Sequence, residues 1–262
     1  MEKIAVGTIQ QRTNSGLKEK EYVMAYLSMD HIDLVLDLQK IVFDTMDDQQ
    51  KFVPDPREFF EEVALVPGRG RMIGVFVEGE MIAARSISFP GLSYENLGWE
   101  LALDEEDLKR VCHLEASLVR PDFRGNRLQS LMLKPTITYL QEQGYCMVLC
   151  TISPFNYPSL KNVMDAGLLI RDVKVREGVY GGKLRFLLAL NLCRPVEPVF
   201  SDVCTVQNTD ITVQKSLLAL GCAGFSLKKI PGDNRFFAIQ YGKPYPLLAG
   251  RVGADPLSNS WR

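Results

Sequence analysis

Residues 118–129, which read LVRPDFRGNRLQ, form the most informative stretch of this 262-residue chain. The strand-like segment 112–119 runs into a short loop that contains proline and glycine, and the pattern that follows predicts a helix over 127–143. The first main-chain N–H groups of a helix lack partners within the helix and lie at the positive end of its dipole. The stretch therefore predicts a place where a phosphate group can bind.

Side chains in the loop fit the same chemistry. Gly125 lets the main chain approach a ligand closely, and Arg124 and Arg127 add positive charge. A glycine between a strand and a helix is also common in a purely structural turn, and arginines there are often only solvated. The loop by itself leaves both interpretations open.

Outward from this loop, the sequence predicts an α/β (mixed α+β) protein. Strands or hairpins are expected at 21–27, 72–89, 145–152 and 168–192, and helices at 28–43, 55–63 and from 156 to about 167. Residues 8–20 are polar and predict a loose lead-in, and no internal repeat stands out. Beyond a break at Pro195 and Pro198, a helix at 210–220 and a strand at 236–241 form either an appended element or part of the main sheet.

Composition excludes several classes of function. Lysine and arginine total 30 against 32 acidic residues, which argues against general nucleic-acid binding. The longest apolar runs, 146–152 and 186–192, are too short to span a membrane, and no signal peptide is expected. Six cysteines without a Cys-x-x-Cys pair predict free thiols in a reducing, cytoplasmic compartment, and two histidines give a metal site little to build on.

The pattern Val119-x-Pro121-x-x-Arg124-Gly125-Asn126 resembles the strand-to-loop signature of the GNAT acyltransferase superfamily. Members of that superfamily move an acyl group from acyl-CoA to an amine. In them, this signature precedes the helix that binds CoA.

A second pattern supports the resemblance. Asn156-x-x-Ser159, followed by Gly167 at the predicted helix end, is similar to the family's second signature. The resemblance implies a central, mostly antiparallel twisted sheet flanked by helices in a GNAT-like domain over residues 1–192. Residues 193–262 would then be a C-terminal extension of unknown role.

The resemblance also implies a CoA site. Main-chain amides from Arg124 to Ser130 would hold the pyrophosphate, the strand end would lie beside the pantetheine arm, and an amide near Leu118 would stabilise the oxyanion. The implied cofactor-binding residues are Leu118, Val119, Arg124, Gly125, Asn126, Arg127, Leu128, Gln129, Ser130, Asn156 and Ser159.

This chain departs from the family pattern at two places. Where the family has small residues later in the loop, this chain has Arg127 and Gln129. Where many members have a tyrosine as general acid, it has Val163. Tyr157 is the alternative acid. The structural interpretation of Tyr157 is a half-exposed side chain in the first turn of the helix.

The attacking amine must lose a proton before it has a lone pair. Because side chains alternate along a strand with a period of two, His113, Glu115 and Ser117 are predicted to form a polar row on one face. A base on this strand is common in the family, so Glu115 is the predicted base and His113 the second choice. A solvated or structurally paired face is the alternative.

The predicted function is therefore an N-acetyltransferase that uses acetyl-CoA, without a metal, and transfers the acetyl group by direct attack of a primary amine. The expected acceptor is a small molecule; neither nucleic acid nor membrane is an expected partner, and a homodimer is possible. The alternatives are a non-catalytic acyl-CoA-binding or sensor protein of the same fold, and an unrelated α/β module in which the loop is only a turn.

Overall fold

The computed structural model describes residues 2–193, 198–230 and 236–245. The chain divides into two compact units, Met1–Gly91 with Cys112–Gly144, and Leu92–Val111 with Tyr145–Arg262. The described residues of the predicted C-terminal extension lie in the second unit. Its residues from 246 onward, and Pro195 at the predicted break, are outside the described residues.

The predicted strands and helices are present in the predicted order, and the structure adds strands at 3–13, 199–207 and 223–229 and a helix at 105–108 to them. The strands are β1 Lys3–Thr13, β2 Gly16–Tyr26, β3 Gly70–Val77, β4 Glu80–Ser88, β5 Val111–Val119, β6 Met147–Ile152, β7 Leu169–Arg176, β8 Lys183–Asn191, β9 Val199–Gln207, β10 Ala223–Lys229 and β11 Phe237–Tyr245. The α-helices are α1 Ile32–Asp44, α2 Arg57–Phe59, which continues as a π-helical turn, α3 Glu105–Leu108, α4 Leu128–Glu142, α5 Tyr157–Met164 and α6 Ile211–Ala219.

In the first unit the strands lie in the order β1-β2-β3-β4-β5, and each neighbouring pair is antiparallel. Apolar residues of α1 and of the α2 segment pack on one face, against Ala84, Ala116 and Leu118. Leu128 and Met132 of α4 belong to the apolar cluster on the other face. The predicted mixed fold, with a mostly antiparallel sheet flanked by helices, is confirmed.

The predicted loose lead-in at residues 8–20 is wrong, because these residues lie in the long hairpin of β1 and β2. Polar side chains on both faces hide the alternation that identifies a half-buried strand. Ile9 and Tyr22 are buried, and few of the other side chains in the hairpin are.

β5 contains a bulge. The register between β4 and β5 shifts between Arg85 and Ile87, so Glu115 and Ala116 together lie opposite Ser86. The Ala116 main-chain N–H donates to the Ser86 hydroxyl at 3.1 Å. A bulge adds one residue to one strand and so resets the alternation of side chains beyond it.

The bulge corrects the predicted polar row. Ser117 faces α4, where its hydroxyl accepts a hydrogen bond from Arg85 at 3.3 Å. Glu115 lies on the opposite face, where its carboxylate accepts a hydrogen bond from Ser88 at 2.6 Å. His113 is paired in register with Ser88 and shares the face of Glu115. A uniform period of two was assumed for the strand, and the inserted residue breaks it.

The second unit holds a repeated strand–helix–strand–strand arrangement. The first copy consists of β6, α5, β7 and β8, and the second of β9, α6, β10 and β11. The strands lie in the order β6-β8-β7-β10-β11-β9. The second copy therefore mirrors the first: β6 and β9 lie at the two ends, β8 and β11 come next, and β7 and β10 are neighbours in the middle. The order describes an approximate two-fold axis between β7 and β10.

Equivalent residues of the two copies meet at this axis. Ile170 lies opposite Gly224, and the Asn208 side-chain amide donates to the Pro154 carbonyl at 3.0 Å across a separation of 54 positions. Among the described residues of the two copies, the same separation joins five identical pairs, Cys150 and Cys204, Thr151 and Thr205, Lys161 and Lys215, Gly167 and Gly221, and Lys174 and Lys228. The repeat thus lies in the arrangement of the strands and helices, with few identical residues, and the described part of the C-terminal segment extends the sheet.

The prediction that all cysteines are free thiols is also wrong. Cys146 and Cys193 form a disulfide, with their Cα atoms 4.9 Å apart. Pairing of β6 with β8 brings together the residues that flank Met147 and Asn191. Because disulfides persist mainly in oxidising compartments, the cysteines do not support the cytoplasmic assignment, which stays a prediction.

Candidate functional site

The loop between β5 and α4 is held in place by Asn126. The Asn126 carboxamide oxygen accepts from the Gln10 main-chain N–H at 2.8 Å, and its amide donates to the Gln10 carbonyl at 2.6 Å. A further bond, of 2.9 Å, runs to the Phe123 carbonyl. The side chain therefore acts as an added strand residue against the outer edge of β1. Because these bonds occupy the Asn126 side chain, Asn126 would contact a ligand through its main chain.

Asn126→Ala is expected to lower the free energy of unfolding by about 1–3 kcal/mol, because it removes three hydrogen bonds and leaves partly buried main-chain groups of Gln10 without them. Urea denaturation measures the loss. Gln10→Ala is the matched control, since it shortens the side chain and keeps the main-chain bonds to Asn126. Equal stability of Asn126→Ala and wild type would contradict the anchoring role.

An ion-pair network fixes the start of the loop. The Arg120 guanidinium binds Asp122 at 2.8 Å and Glu80 at 2.6 Å. The Asp122 carboxylate also accepts a hydrogen bond from Gln11 at 2.8 Å. The hydrogen bond from Arg120 lowers the pKa of Asp122, because its effect is larger than the opposing effect of burial. The one acidic side chain of the loop is thus neutralised locally, which favours an anion nearby.

The middle of the loop is open and positively charged. Gly125 has φ +94°, and a Cβ placed there would meet no atom within 4 Å. Arg127, the residue before α4, has φ 55° in the left-handed region, which is unfavourable for a residue with a side chain. Both residues are exposed, as is Arg124. The open space at Gly125, the two exposed arginines of the same loop and the start of a helix together fit a phosphate group.

The main-chain amides of the predicted cradle are not equivalent. The Arg124 N–H donates to the Pro121 carbonyl at 3.2 Å. This amide is therefore used within the loop, and Arg124 would contact a phosphate through its guanidinium. Leu128 is buried beneath the first turn, whereas Ser130 is exposed. The Gln129 carbonyl accepts from the buried Arg85 at 3.3 Å, which ties the first turn of α4 to the sheet.

The main-chain direction on β5 distinguishes the amides near Leu118 that were predicted to include the oxyanion donor. The Arg120 N–H donates to the Ile82 carbonyl at 2.9 Å. In an antiparallel pair, bonding alternates every second residue, so Leu118, paired with Ala84, also directs its N–H toward β4. The N–H of Val119 points away from β4. Val119 is therefore the residue of the predicted pair that can offer its amide to a ligand.

A polar group surrounds Glu115 on the face that α1 and α2 cover. The Glu115 side chain is 25% exposed, and the His113 imidazole lies 3.7 Å from its carboxylate. Burial raises the pKa of Glu115, but His113 and the Ser88 hydroxyl outweigh burial and hold this pKa below its usual value. Glu115 is thus a stable anion at neutral pH and a weak base.

Sequence patterns alone did not identify Asp55 as part of this group, because the dipeptide Asp55-Pro56 is also a common way to start a helix. Its main chain pairs reciprocally with the Gln39 side chain, at 2.8 and 3.0 Å. Burial, and then the charge of Glu115, raise the pKa of Asp55 to about 7. A buried glutamine facing the Asp-Pro dipeptide is the signal that could have found it.

A cysteine nucleophile is not favoured near this group. Burial raises the pKa of the Cys112 thiol, and Glu115 raises it further. Cys112 therefore stays protonated at neutral pH. Within the described ranges, no cluster of three or more His, Cys, Asp or Glu residues is arranged to hold a metal ion.

Asn156 and Ser159 lie in the second unit, where Asn156 caps α5. Its side chain accepts a hydrogen bond from the Ser159 N–H at 3.2 Å. The ring of Tyr157 packs at 5.1 Å from that of Phe237, which agrees with the structural interpretation of Tyr157. Val163 is buried in α5. The contacts of Asn156 and Ser159 with a pantetheine arm stay predictions.

The described part of the chain contains no helix of the length and apolarity that crossing a membrane requires. A comparison with models of protein families finds no match, and neither does a comparison with curated proteins.

Similar solved structures exist. The ribosomal-protein-S18-alanine N-acetyltransferase from Escherichia coli is 12% identical, with a TM-score of 0.49 over 69% of this chain and 99% of that chain. An N-acetyltransferase from Staphylococcus aureus Mu50 is 11% identical, with a TM-score of 0.49 over 65% and 98%. The GNAT domain of S. lividans PAT is 14% identical, with a TM-score of 0.47 over 71% and 96%.

Proposed function

We propose that the protein is an acyl-CoA-dependent N-acyltransferase that moves an acetyl group from acetyl-CoA to a small primary amine by direct attack. The observation that carries the proposal is the segment from β5 to α4. It joins a bulged strand that carries the half-buried Glu115 to an open, basic loop at a helix start.

The loop would bind the diphosphate of CoA. Gly125 leaves room for the phosphate oxygens, and Arg124 and Arg127 are exposed beside it. Helix N-termini bind phosphates through main-chain N–H groups and the helix dipole. Asn126 and Arg120 hold the loop in this shape through β1 and β4.

The strand end would bind the thioester. The N–H of Val119 points away from β4 and would donate to the carbonyl oxygen, which becomes an oxyanion when the amine attacks. A donor of this kind is worth about 3–4 kcal/mol in the transition state. A thiolate leaves readily because the pKa of a thiol is about 8.5, so the chain's Val163 in place of a tyrosine is compatible with this reaction.

The polar group around Glu115 would receive the proton of the amine. Its members are Glu115 and His113, which were predicted from the sequence, together with Ser88 and Asp55. The protonated thiol of Cys112 favours direct attack over an acyl-enzyme intermediate.

Binding of acetyl-CoA to the loop is expected to raise the melting temperature by about 5 °C at a concentration 100 times the dissociation constant. Differential scanning fluorimetry measures the shift. Adenosine, which lacks the diphosphate, is the matched control and is expected to give no shift. A chain that millimolar acetyl-CoA does not stabilise would favour the interpretation of the loop as a structural turn.

Thiol release from acetyl-CoA, followed with a chromogenic disulfide across a panel of small primary amines, separates an enzyme from a non-catalytic binding protein. We expect release that depends on both the amine and the protein. Stabilisation by acetyl-CoA without release for any amine would leave the acyl-CoA-binding or sensor alternative.

A further inference from the structure

A small cavity lies within the first unit, between the sheet and α4. Its lining includes two arginines and a tyrosine from the strands, and a threonine and a tyrosine from the helix, namely Arg71, Arg85, Tyr26, Thr136 and Tyr139. The cavity volume of about 10 Å³ is room for one occupant of the size of a water molecule. The cavity shares no residue with the loop between β5 and α4.

The pairing of β3 with β4 brings both arginines to this cavity. Arg71 lies opposite Ile87, and Arg85 lies opposite Ile73. The two arginines are therefore diagonal neighbours on one face of the sheet, at a separation that long side chains can bridge. Arg85 donates to the Gln129 carbonyl in the first turn of α4, so this face is the one beneath that helix.

The Arg71 guanidinium is held by aromatic rings. Its central carbon lies 3.6 Å from the centre of the Tyr26 ring and 4.4 Å from that of Tyr139. Both contacts are favourable, because the face of an aromatic ring attracts a cation. They fix the guanidinium in place before any ligand binds.

The polar partners of Arg71 leave one donor unused. Its carboxylate partner is Glu2, at 3.7 Å, and the Glu2 side chain is 72% exposed, so the ion pair is weak. Among the described residues, none accepts a hydrogen bond from the buried Nε of Arg71. A buried donor in this state is unfavourable unless a ligand or a water molecule accepts from it.

Arg85 brings a second positive charge to the same space. It is 3% exposed, and its guanidinium donates at 3.3 Å to two uncharged oxygens, the Ser117 hydroxyl and the Gln129 carbonyl. Burying one guanidinium beside another is unfavourable, because burial removes water from both and their charges repel. Burial raises the pKa of Tyr26, so this phenol stays neutral and supplies no negative charge.

We propose that this cavity binds one small inorganic anion of the size of chloride, between the guanidinium groups of Arg71 and Arg85. Guanidinium N–H groups only donate, so the occupant must be an acceptor. A halide ion accepts several such bonds and also opposes both charges, whereas a water molecule carries no charge. Carboxylates and phosphates are too large for the cavity. The inference is independent of the proposed function, because it involves neither CoA nor an amine.

The position of the anion can be read directly in the wild-type protein. Crystals of the full chain grown in sodium bromide are expected to show an anomalous difference peak in the cavity, within hydrogen-bond distance of the Nε of Arg71. Bromide replaces chloride at such sites and, unlike water, gives an anomalous signal. A cavity without this peak, at a bromide concentration that saturates the thermal response described next, would overturn the proposal in favour of a bound water molecule.

Thermal stability in solution gives a second test. Sodium chloride is expected to raise the melting temperature by about 3–5 °C when chloride exceeds its dissociation constant tenfold, and the rise is expected to saturate. Sodium gluconate at the same ionic strength is the control, because its anion is too large for the cavity. Equal responses to the two salts would reduce the effect to ionic strength and overturn the proposal.

Arg71→Met tests the arginine whose side chain is partly exposed and whose loss the fold is expected to tolerate. The variant keeps an unbranched side chain of similar length and removes the charge and the Nε donor. We expect it to lose at least tenfold in chloride affinity and most of the chloride-dependent rise in melting temperature. Arg69→Met, at an exposed position two residues earlier, is the matched control and is expected to respond as the wild type does. A full chloride response in Arg71→Met would contradict the site, and the bromide map of the wild type decides the matter if this variant does not fold.

Discussion

Gly125→Glu is expected to abolish the stabilisation of the protein by acetyl-CoA, with affinity falling by about 100-fold or more. The new carboxylate would occupy the open space beside the loop, where no atom lies within 4 Å of a Cβ. Two charges 4 Å apart repel by about 4 kcal/mol at an effective dielectric constant of 20, which exceeds a hundredfold in affinity. Titration calorimetry and the thermal shift with acetyl-CoA both measure the change.

The control for this variant lies at the other end of the same helix. Gly144 has φ +78° and open space around its Cβ position, as Gly125 has φ +94° and open space. Glutamate at either place carries the same cost of a left-handed main chain and the same change in charge. Gly144→Glu is therefore expected to lose a similar amount of stability and to keep its affinity. Equal affinity of the two variants for acetyl-CoA would remove the loop from the binding site.

The wild type is expected to lose about 2–4 kcal/mol of unfolding free energy between pH 4 and pH 8 that Asp55→Asn does not lose. The folded-state pKa of Asp55, about 7, lies above the 3.9 of an unperturbed aspartate. The folded protein therefore holds this proton more tightly, and the resulting stability is fully present below pH 4 and is lost as the pH rises through 7. Urea denaturation at a series of pH values measures the loss.

Glu115 affects the pH dependence of stability in the opposite direction and in another pH range. Its lowered pKa stabilises the folded protein at pH values above the ordinary pKa of glutamate, and this stability is lost only in more acidic solution. The difference between wild type and Asp55→Asn over pH 5–8 thus reports Asp55. The exposed Asp37 gives the control, since Asp37→Asn is expected to keep the wild-type slope. Parallel curves for wild type and Asp55→Asn would show that Asp55 has an ordinary pKa.

The strand–loop–helix segment could be predicted because its signals are local. A buried strand pattern, a loop with proline and glycine, and the spacing of Leu128 and Met132 on one helix face all lie within about 30 residues. The hairpins of β3 with β4 and of β7 with β8 were predicted for the same reason, from short turns that contain glycine.

The missed features depend on contacts far apart in the chain. Nothing near Gln10 indicates that Asn126 would bond to it across 116 positions. The bulge at Glu115 follows from the register of β4 against β5 and from the hydroxyl of Ser86, and neither can be read from β5 alone. For the same reason the predicted row of polar side chains was right for His113 and Glu115 and wrong for Ser117. The position of Asp55 depends on α1, because the side chain of Gln39 in that helix binds the Asp55 main chain.

The approximate two-fold axis in the second unit places different residues at equivalent positions. When two identical strands meet on a two-fold axis, the residue on the axis faces a copy of itself. Here Ile170 faces glycine, and a Cβ at Gly224 would already lie 3.0 Å from the Ile170 Cβ. Two copies of the first repeat would bring two isoleucines into collision at this point. The pairing at this point therefore requires a large residue on one strand and glycine on the other, so the two halves are complementary and not interchangeable.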